Sequence, residues 1–451
     1  MESLNFKENF LKYKDELISN LQELIKINSV LSGNEEVDGK VYPFGIGNYK
    51  CLVYTKELAL KMGFKAEIVD DVALEVEYGD GSEVVHVLCH LDVVPAIGSW
   101  TNPPFEPIIK DNKIYGRGTS DDKGPALASL YALYTLKEMN VQLDRKIVLV
   151  FGTDEESGSR CLKKYYSTRS LPDYAISPDA NFPVIYAEKG HALIDIFGEA
   201  DKYFRASGGV RYNVVAPSVE FTINDEEKKN IINKKINDSF ILNDKYTVLG
   251  KSAHAMEPDN GINAIKEFAK IVNEESSNPL IKFINKKLSS SRLKDMKLDF
   301  TSPDLGDLTM NIGLAKFDDN ESRIGIDIRY PNGLDFDEFF EKFQKETERY
   351  GLKAEIKSCT KVHYVDPNSK FIKTLHASYI KYTGDDKTPL MAIGGGTYCH
   401  GMKNAVAYGL VFPNEPEMAH EVDEYIDIDS LIKGGTILTD AIYELGTFKC
   451  D

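Results

Sequence analysis

Apolar residues recur at helical spacing over the first 25 positions of the chain, which predicts an amphipathic helix there. Short apolar runs then alternate with helical patterns. Buried strands are predicted at 84–89 (VVHVLC), at 147–152 (IVLVFG) and from 174 onward, and helices at 51–62 and 126–139. Strands that alternate with helices are typical of a largely parallel central sheet flanked by helices. We therefore expect an α/β fold that binds its ligands at the carboxyl ends of the strands.

The pattern changes between residues 188 and 364. This stretch has strand-like runs, loops rich in Lys, Asn and Ser, and charged helical patterns at 225–238 and 335–350. Helical patterns return at 367–382 and 426–445, with a glycine triplet and an apolar stretch (405–412) between them. The sequence therefore predicts one domain formed by 1–187 and 365–451, interrupted by an α+β domain at 188–364.

Composition narrows the class of protein. The chain has 451 residues, of which 42% are apolar, and a net charge of −17. The apolar content excludes wholesale disorder, and the acidity disfavours nucleic acid or an anionic membrane as a partner. The six cysteines include no CxxC pair, the first 20 residues are charged throughout, and no apolar run approaches the length of a membrane span. We expect a soluble cytoplasmic protein with reduced thiols.

Unusual polar residues follow the apolar runs. His90 and Asp92 close the first predicted strand on one face, where the carboxylate can orient the imidazole or join it on a metal ion. Asp121 and Asp122 precede a predicted helix, and two adjacent carboxylates are unfavourable unless a cation holds them. Taken singly, each pair has a structural alternative, because His-x-Asp is common and either aspartate could cap the helix.

Three further acidic or imidazole positions continue the series. Glu155 and Glu156 follow the second buried strand, Asp179 follows the third, and His420 follows a later apolar run. An isolated Glu-Glu pair is usually a solvated loop. Two imidazoles together with several carboxylates, however, suit Zn²⁺ or Mn²⁺, and the surplus of carboxylates suggests two ions about 3.5–4 Å apart that share a bridge.

The motifs that carry these residues resemble those of a known family. In order, they are HLDVVPAIGSWTNPPF (90–105), YGRGTSDDKGP (115–125), GTDEESGS (152–159), SPDA (177–180), GGGTY (394–398) and AYGLVFPNEPEMAHE (407–421). They are similar to motifs of the di-metal peptidases of the aminoacylase/carboxypeptidase clan and, within it, most resemble the PepV-type bacterial dipeptidases. The resemblance extends from about residue 43 to the end of the chain.

The resemblance implies a set of metal ligands. His90, Asp121 and Asp179 would bind one divalent ion. Asp121, Glu156 and His420 would bind the other, so that Asp121 bridges the two. In the family, the peptide bond after the bridging aspartate is often cis. Zn²⁺ is the expected ion, with Mn²⁺ and Co²⁺ as alternatives.

The resemblance also implies the residues that act on the substrate. Asp92 would brace His90, and Glu155 would be the general base that takes a proton from a water bridging the ions. In this arrangement the hydroxide attacks the scissile carbonyl, and Glu155 returns the proton to the leaving amine.

The interrupting domain matches the family's lid. His254 would donate to the tetrahedral oxyanion, Asn213 would contact the substrate, and Arg329 would bind its terminal carboxylate with backbone N–H groups near Gly395 and Gly396. Structural alternatives are a surface histidine for His254, an ion pair on a strand for Arg329 and a tight turn for the glycines. The size of the lid favours a monomer.

The function expected from these features is hydrolysis of dipeptides that carry a free N-terminal amine. One alternative uses the same chemistry on another amide, as an N-acyl amino acid deacylase or desuccinylase. A different class of alternative is a catalytically inactive homologue that binds peptides, which the complete ligand set and Glu155 disfavour.

Overall fold

The structure is a computed structural model that describes residues 4–235, 241–242 and 245–447. Its helices are α1 (Phe6–Leu11), α2 (Lys14–Ile25), α3 (Ile46–Lys61), α4 (Lys123–Glu138), α5 (Arg160–Tyr165), α6 (Glu226–Ile232), α7 (Ala264–Val272), α8 (Pro279–Lys287), α9 (Phe336–Glu348), α10 (Lys370–Thr383) and α11 (Ile428–Thr447). In the described part of the chain, 3-10 turns lie at Pro258–Asn260 and Lys294–Met296.

The first strands lie before residue 200. They are β1 (Glu35–Val37), β2 (Lys40–Tyr42), β3 (Lys65–Val69), β4 (Ala73–Tyr78), β5 (Val84–His90), β6 (Ile108–Lys110), β7 (Lys113–Tyr115), β8 (Lys146–Gly152), β9 (Tyr174–Ser177), β10 (Ala180–Asn181), β11 (Ile185–Glu188) and β12 (Gly190–Glu199).

The later strands follow the same order along the chain. They are β13 (Phe204–Gly208), β14 (Ser218–Ile223), β15 (Ile241–Leu242), β16 (Lys245–Leu249), β17 (Thr301–Ser302), β18 (Gly306–Asp307), β19 (Thr309–Phe317), β20 (Glu321–Tyr330), β21 (Lys353–Thr360), β22 (His363–Tyr364), β23 (Met391–Ile393), β24 (Ala405–Ala407), β25 (Leu410–Val411) and β26 (Tyr425–Asp427).

The chain divides into two units. The first contains the described residues up to Tyr186, Val365–Met391, and those from Gly396 onward, and the second contains Ala187–Tyr364 and Ala392–Gly395. The sequence-based division places residues 187 and 392–395 in the first domain, whereas they cluster with the second unit. Residues 236–238 of the helix predicted at 225–238 lie outside the described residues, as does Cys450.

The first unit is built on a central sheet flanked by helices, so the predicted α/β class is confirmed. Six of the strands of this sheet lie in the order β24–β9–β5–β8–β4–β3. The first four are parallel, β4 runs antiparallel to β8, and the edge strand β3 runs antiparallel to β4. Strands β5 and β8 are buried at six of their seven positions, because both faces of a parallel sheet are covered. Helix α4 packs against α11, α2 and β5.

The opening helix differs from the prediction. It breaks between α1 and α2, at Lys12 and Tyr13. The Tyr13 backbone leaves the helical region (φ −100°, ψ 5°), and the Tyr13 ring packs 4.9 Å from the Tyr134 ring. Packing of this one aromatic residue therefore interrupts a helix that the apolar spacing predicts as continuous.

The second unit contains an eight-stranded antiparallel sheet in the order β15–β16–β14–β13–β19–β20–β12–β21. Helix α7 packs against β14, β16 and β19, α8 against β12, and α9 against β21. Within α9, Phe336, Phe339, Phe340 and Phe343 recur at helical spacing, and Phe339 and Phe343 are buried in the hydrophobic core of this unit. Among the described residues, no helix is both long and apolar enough to cross a bilayer.

Candidate metal centre

The ends of three neighbouring parallel strands meet at one edge of the central sheet. Strand β5 ends at His90, β9 leads to Asp179, and β8 leads to Glu155 and Glu156. Leu91 N donates a 2.9 Å hydrogen bond to Gly152 O, so the ends of β5 and β8 are in register. The sheet order therefore brings together residues that are up to 89 positions apart along the chain.

A small second sheet positions the remaining two predicted ligands. Strand β7 pairs with both β6 and β26, and Tyr115 lies opposite Tyr425. The loop after β7 carries Asp121, and the loop before β26 carries His420. Because the paired strands are antiparallel, these two loops leave the same end of the ladder. His420 has a left-handed backbone (φ 67°), a sparsely populated conformation for a residue other than glycine.

Asp121 lies between the two imidazoles. Its Oδ1 is 2.9 Å from His90 Nε2, and its Oδ2 is 3.0 Å from His420 Nε2. His90 Nε2 also lies 3.4 Å from Asp179 Oδ2, and His420 Nε2 lies 2.9 Å from Glu156 Oε1. The structure thus brings together all five predicted metal ligands, with one carboxylate shared between two imidazole groups.

The chemistry of this donor set fits divalent cations. Ligand atoms of His90, Asp121 and Glu156 lie within 4.8 Å of one another, as do those of His90, Glu155 and Asp179. His90 Nε2 is buried and makes no hydrogen bond of acceptable geometry to any described residue, although two carboxylates lie beside it. A buried nitrogen aimed at several converging carboxylates is an arrangement that a cation would satisfy.

Burial and mutual repulsion shift the acidities of the carboxylates. Burial, followed by the charge of Asp121, raises the pKa of Glu156 to about 7 and that of Asp179 to about 6. Burial holds the pKa of Glu155 well above its usual range. Burial would also raise the pKa of Asp121, but the neighbouring His420 and His90 imidazoles lower it instead. Hydrogen bonds to Asp121 and Glu156 raise the pKa of His420 to about 11.

Comparison with known proteins places the chain in a family. A sequence profile described as Peptidase family M20/M25/M40 matches residues 86–444. The chain belongs to this peptidase family. It is 34% identical to provisionally named dipeptidases of Staphylococcus epidermidis and Staphylococcus aureus, over 98% of this chain and 99% of theirs. The protein is therefore an M20-family peptidase, a hydrolase.

Solved structures share the fold of this M20-family peptidase. Human carnosine dipeptidase 1 matches with a TM-score of 0.61 and 14% identity over 98% of both chains. The dipeptidase Dug1p of Saccharomyces cerevisiae matches with a TM-score of 0.60 and 14% identity over 97% of both chains. The metallo-carboxypeptidase Sso-CP2 of Sulfolobus solfataricus matches with a TM-score of 0.59 and 20% identity, over 95% of this chain and 99% of its own.

Asp92 contacts both His90 and the Glu155–Glu156 turn in this peptidase. His90 Nδ1 lies 2.9 Å from the backbone carbonyl of Asp92 and 3.5 Å from its carboxylate, so the carbonyl makes the hydrogen bond. The carboxylate instead accepts one hydrogen bond from Glu155 N and one from Glu156 N, each 3.1 Å long. Residue 92 thus braces His90 through its backbone and the Glu155–Glu156 turn through its side chain.

Two buried carboxylates beside the centre, Asp122 and Glu424, have backbone contacts that the sequence did not predict. Asp122 Oδ2 accepts a 2.9 Å hydrogen bond from His90 N, and Glu424 accepts hydrogen bonds from the loop that carries Asp121. Both side chains are fully buried. Asp122 follows the predicted bridging residue and Glu424 closes the segment MAHEVDE, so their positions in the motifs were the available signal. Which backbone groups they bind depends on the fold.

The Asp121–Asp122 peptide bond is cis, as the resemblance to the dipeptidases implies. None of the five described cysteines forms a disulfide bond. Cys89 is buried beside Ser129 Oγ at 3.7 Å, and burial raises the pKa of its thiol well above the usual value. This environment disfavours a nucleophilic thiolate.

The predicted lid residues lie in the second unit, except Gly396, which belongs to the first. The exposed His254 and half-buried Asn213 come from adjacent segments, because Ala255 N donates to Asn213 O at 3.0 Å. Arg329 is held within this unit by two contacts. Its Nε and Nη2 bind the Asp327 carboxylate at 2.9 and 3.1 Å, and its Nη1 binds the Gly394 carbonyl at 3.0 Å. These contacts use three of the five N–H donors of its guanidinium.

Proposed function

We propose that this M20-family peptidase is a PepV-type dipeptidase that depends on two divalent cations. The observation that carries the proposal is the position of Asp121, whose two oxygens each face a different imidazole at 2.9 and 3.0 Å. His90, Asp121 and Asp179 would hold one ion, and Asp121, Glu156 and His420 the other. When bound, the ions would acidify water and polarise the scissile carbonyl.

Glu155 supplies the proton transfer in this proposal. Its carboxylate lies within reach of His90 and Asp179, and burial keeps its pKa well above that of an exposed glutamate. A carboxylate of raised pKa is a stronger base, so it accepts a proton from the attacking water at one oxygen and donates it to the nitrogen of the leaving amine. Asp92 holds the backbone of this residue in place.

We further propose that the substrate is a dipeptide with a free amine, bound by a monomeric enzyme. Arg329 would bind the terminal carboxylate through the two N–H donors that Asp327 and Gly394 do not use. His254 and Asn213 would contact the substrate from the same unit. The similarity to proteins named as dipeptidases supports this substrate class.

The test is a substrate panel with enzyme loaded separately with Zn²⁺, Mn²⁺ or Co²⁺. Dipeptides should be cleaved, whereas N-acetylated dipeptides and decapeptides should not. Faster cleavage of the acetylated compounds would identify a deacylase instead, and rapid cleavage of decapeptides would contradict the dipeptide preference.

A variant tests the assigned base separately. Glu155→Gln should retain the metal content of the parent while kcat falls by about 10²–10⁴-fold. Metal content is measured by elemental analysis of the same samples. An unchanged kcat would remove Glu155 from the proposed mechanism.

A further inference from the structure

The loops that carry Asp121 and His420 are joined by the β7–β26 pair. Gly116, directly after β7, donates its N–H to the carbonyl of Glu424 at 2.9 Å, so the pairing continues one step beyond the strands. From this point the two loops continue separately, one to Asp121 and the other back to His420. Their spacing therefore depends on contacts made beyond the ladder.

The Glu424 side chain makes most of these contacts. It is fully buried, and its Oε1 accepts from Ser120 N at 2.8 Å and from Asp121 N at 3.1 Å. Its Oε2 accepts from Gly118 N at 3.0 Å and from Arg117 Nη1 at 2.7 Å. One carboxylate of the loop before β26 thus binds four donors of the loop after β7.

Arg117 makes the reciprocal connection. Its side chain is 2% exposed, and Nη2 donates to the carbonyl of His420 at 3.3 Å while Nη1 binds Glu424. The Trp100 ring lies 5.0 Å from the guanidinium carbon. Arg117 therefore holds the backbone of one predicted ligand, and Glu424 holds the backbone of the other.

We propose that Glu424 and Arg117 are paired positioning residues that set the distance between Asp121 and His420, and thereby the affinity of the cation site formed by Asp121, Glu156 and His420. The inference rests on the proposed function, because it concerns the same two ions. Neither residue is itself a predicted metal ligand. Each acts on a ligand-bearing backbone, and partners of this kind commonly change metal affinity 10- to 100-fold when they are lost.

Two substitutions test the contributions of Glu424 and Arg117 separately. Glu424→Gln leaves one oxygen and places an NH₂ group against N–H donors, whichever way the amide turns. Arg117→Lys keeps a positive charge beside Glu424, but the compact ammonium group cannot also supply the second hydrogen bond, to His420 O. The matched control is Glu75→Gln. It disrupts another glutamate–arginine pair of the first unit, in which the buried Glu75 meets the half-buried Arg169 at 2.9 Å away from the ligand loops.

The experiment titrates each metal-free protein with Co²⁺, followed by visible absorption and by calorimetry. The parent should bind two ions. In Glu424→Gln and Arg117→Lys one of the two binding steps should weaken by about 10- to 100-fold, and excess Co²⁺ should restore most of kcat. Glu75→Gln should lower the melting temperature and leave both binding steps unchanged.

The outcomes distinguish this inference from the function on which it rests. A parent protein that binds fewer than two ions would contradict the proposed function itself. Another outcome is that the parent binds two ions while both binding steps stay unchanged in Arg117→Lys and in any folded Glu424→Gln. This result would overturn only the positioning role of Arg117 and Glu424. The positioning role would also be overturned if Glu75→Gln weakened a binding step to the same degree.

Discussion

Asp92, Asp122 and Glu424 direct their carboxylate oxygens at backbone N–H groups beside the predicted metal ligands. Their contacts explain why the segments around the centre contain more acidic residues than two ions need. The motifs identified the ligand residues, because His, Asp and Glu in that order carry a recognisable chemistry. They did not identify these backbone contacts, since a carboxylate's hydrogen-bond partners depend on which loops the fold brings beside it.

The contact made by Asp92 predicts a kinetic effect. In Asp92→Asn one carboxylate oxygen becomes an NH₂ group, which cannot accept the hydrogen bond that this oxygen receives from Glu155 N or Glu156 N. We expect kcat to fall by about 10- to 100-fold, measured on a dipeptide with saturating metal. Asp173→Asn is the control, because Asp173 also accepts a backbone hydrogen bond, from Val84 N at the other end of β5. A parental kcat in Asp92→Asn would contradict this role.

The burial of His86 leads us to predict that the free energy of unfolding depends on pH. Burial lowers its pKa from 6.5 to about 4, and its Nδ1 lies 2.8 Å from Tyr166 Oη. Because the unfolded chain takes up this proton first, the folded state loses stability as the pH falls from about 6.5 to about 4, by up to about 3 kcal/mol. His86→Gln should flatten this part of the curve, measured by urea unfolding at several pH values. Parallel curves for parent and variant would exclude His86 as the source.

Among the secondary-structure elements, the long apolar runs were predicted well and the short strands were not. Strands β5 and β8 are buried on both faces, so their apolar runs are almost uninterrupted. Strands β6, β7 and β26 have three residues each and mostly half-exposed side chains, so they carry no periodicity that could be recognised. These short strands nevertheless place Asp121 beside His420. The predicted convergence at strand ends therefore holds for only part of the centre.

The close approach of two helices gives a prediction about packing. A Cβ added at Gly435 in α11 would overlap the Phe10 ring of α1. Gly435→Ala should lower the free energy of unfolding by about 1–3 kcal/mol, although alanine has the higher helix propensity by about 1 kcal/mol. The same substitution in a Phe10→Leu background should cost less, because the smaller side chain leaves room. Equal costs in both backgrounds, measured by urea unfolding, would contradict the predicted overlap.

At the level of the whole molecule, the chain's two units differ in their chemistry. All five predicted ligands and Glu155 lie in the first unit, whereas the second has its own hydrophobic core and contains Arg329, Asn213 and His254. The change of pattern near residue 188 was visible in the sequence because an antiparallel sheet with amphipathic helices succeeds the nearly continuous apolar strands. The grouping of residues 392–395 with the second unit was not visible, since it depends on long-range pairing such as that of Lys189 N with Ile393 O.

This distribution predicts which segments become less stable when the metal ions are removed. Chelation should increase hydrogen exchange in the loops at 116–122, 153–159 and 412–424 of the first unit, because a bound ion stabilises the segments that hold it. Exchange in β12, β19 and β20 of the second unit should not change. Exchange that rises equally in both units would contradict a metal centre confined to the first.

The central claim is that Asp121 is shared by two cations, and anomalous X-ray diffraction from crystals grown with Zn²⁺ tests it most directly. We predict two anomalous peaks about 3.5–4 Å apart, one beside His90 Nε2 and the other beside His420 Nε2, with the Asp121 carboxylate between them. A single peak, or two peaks of which only one contacts Asp121, would contradict the claim.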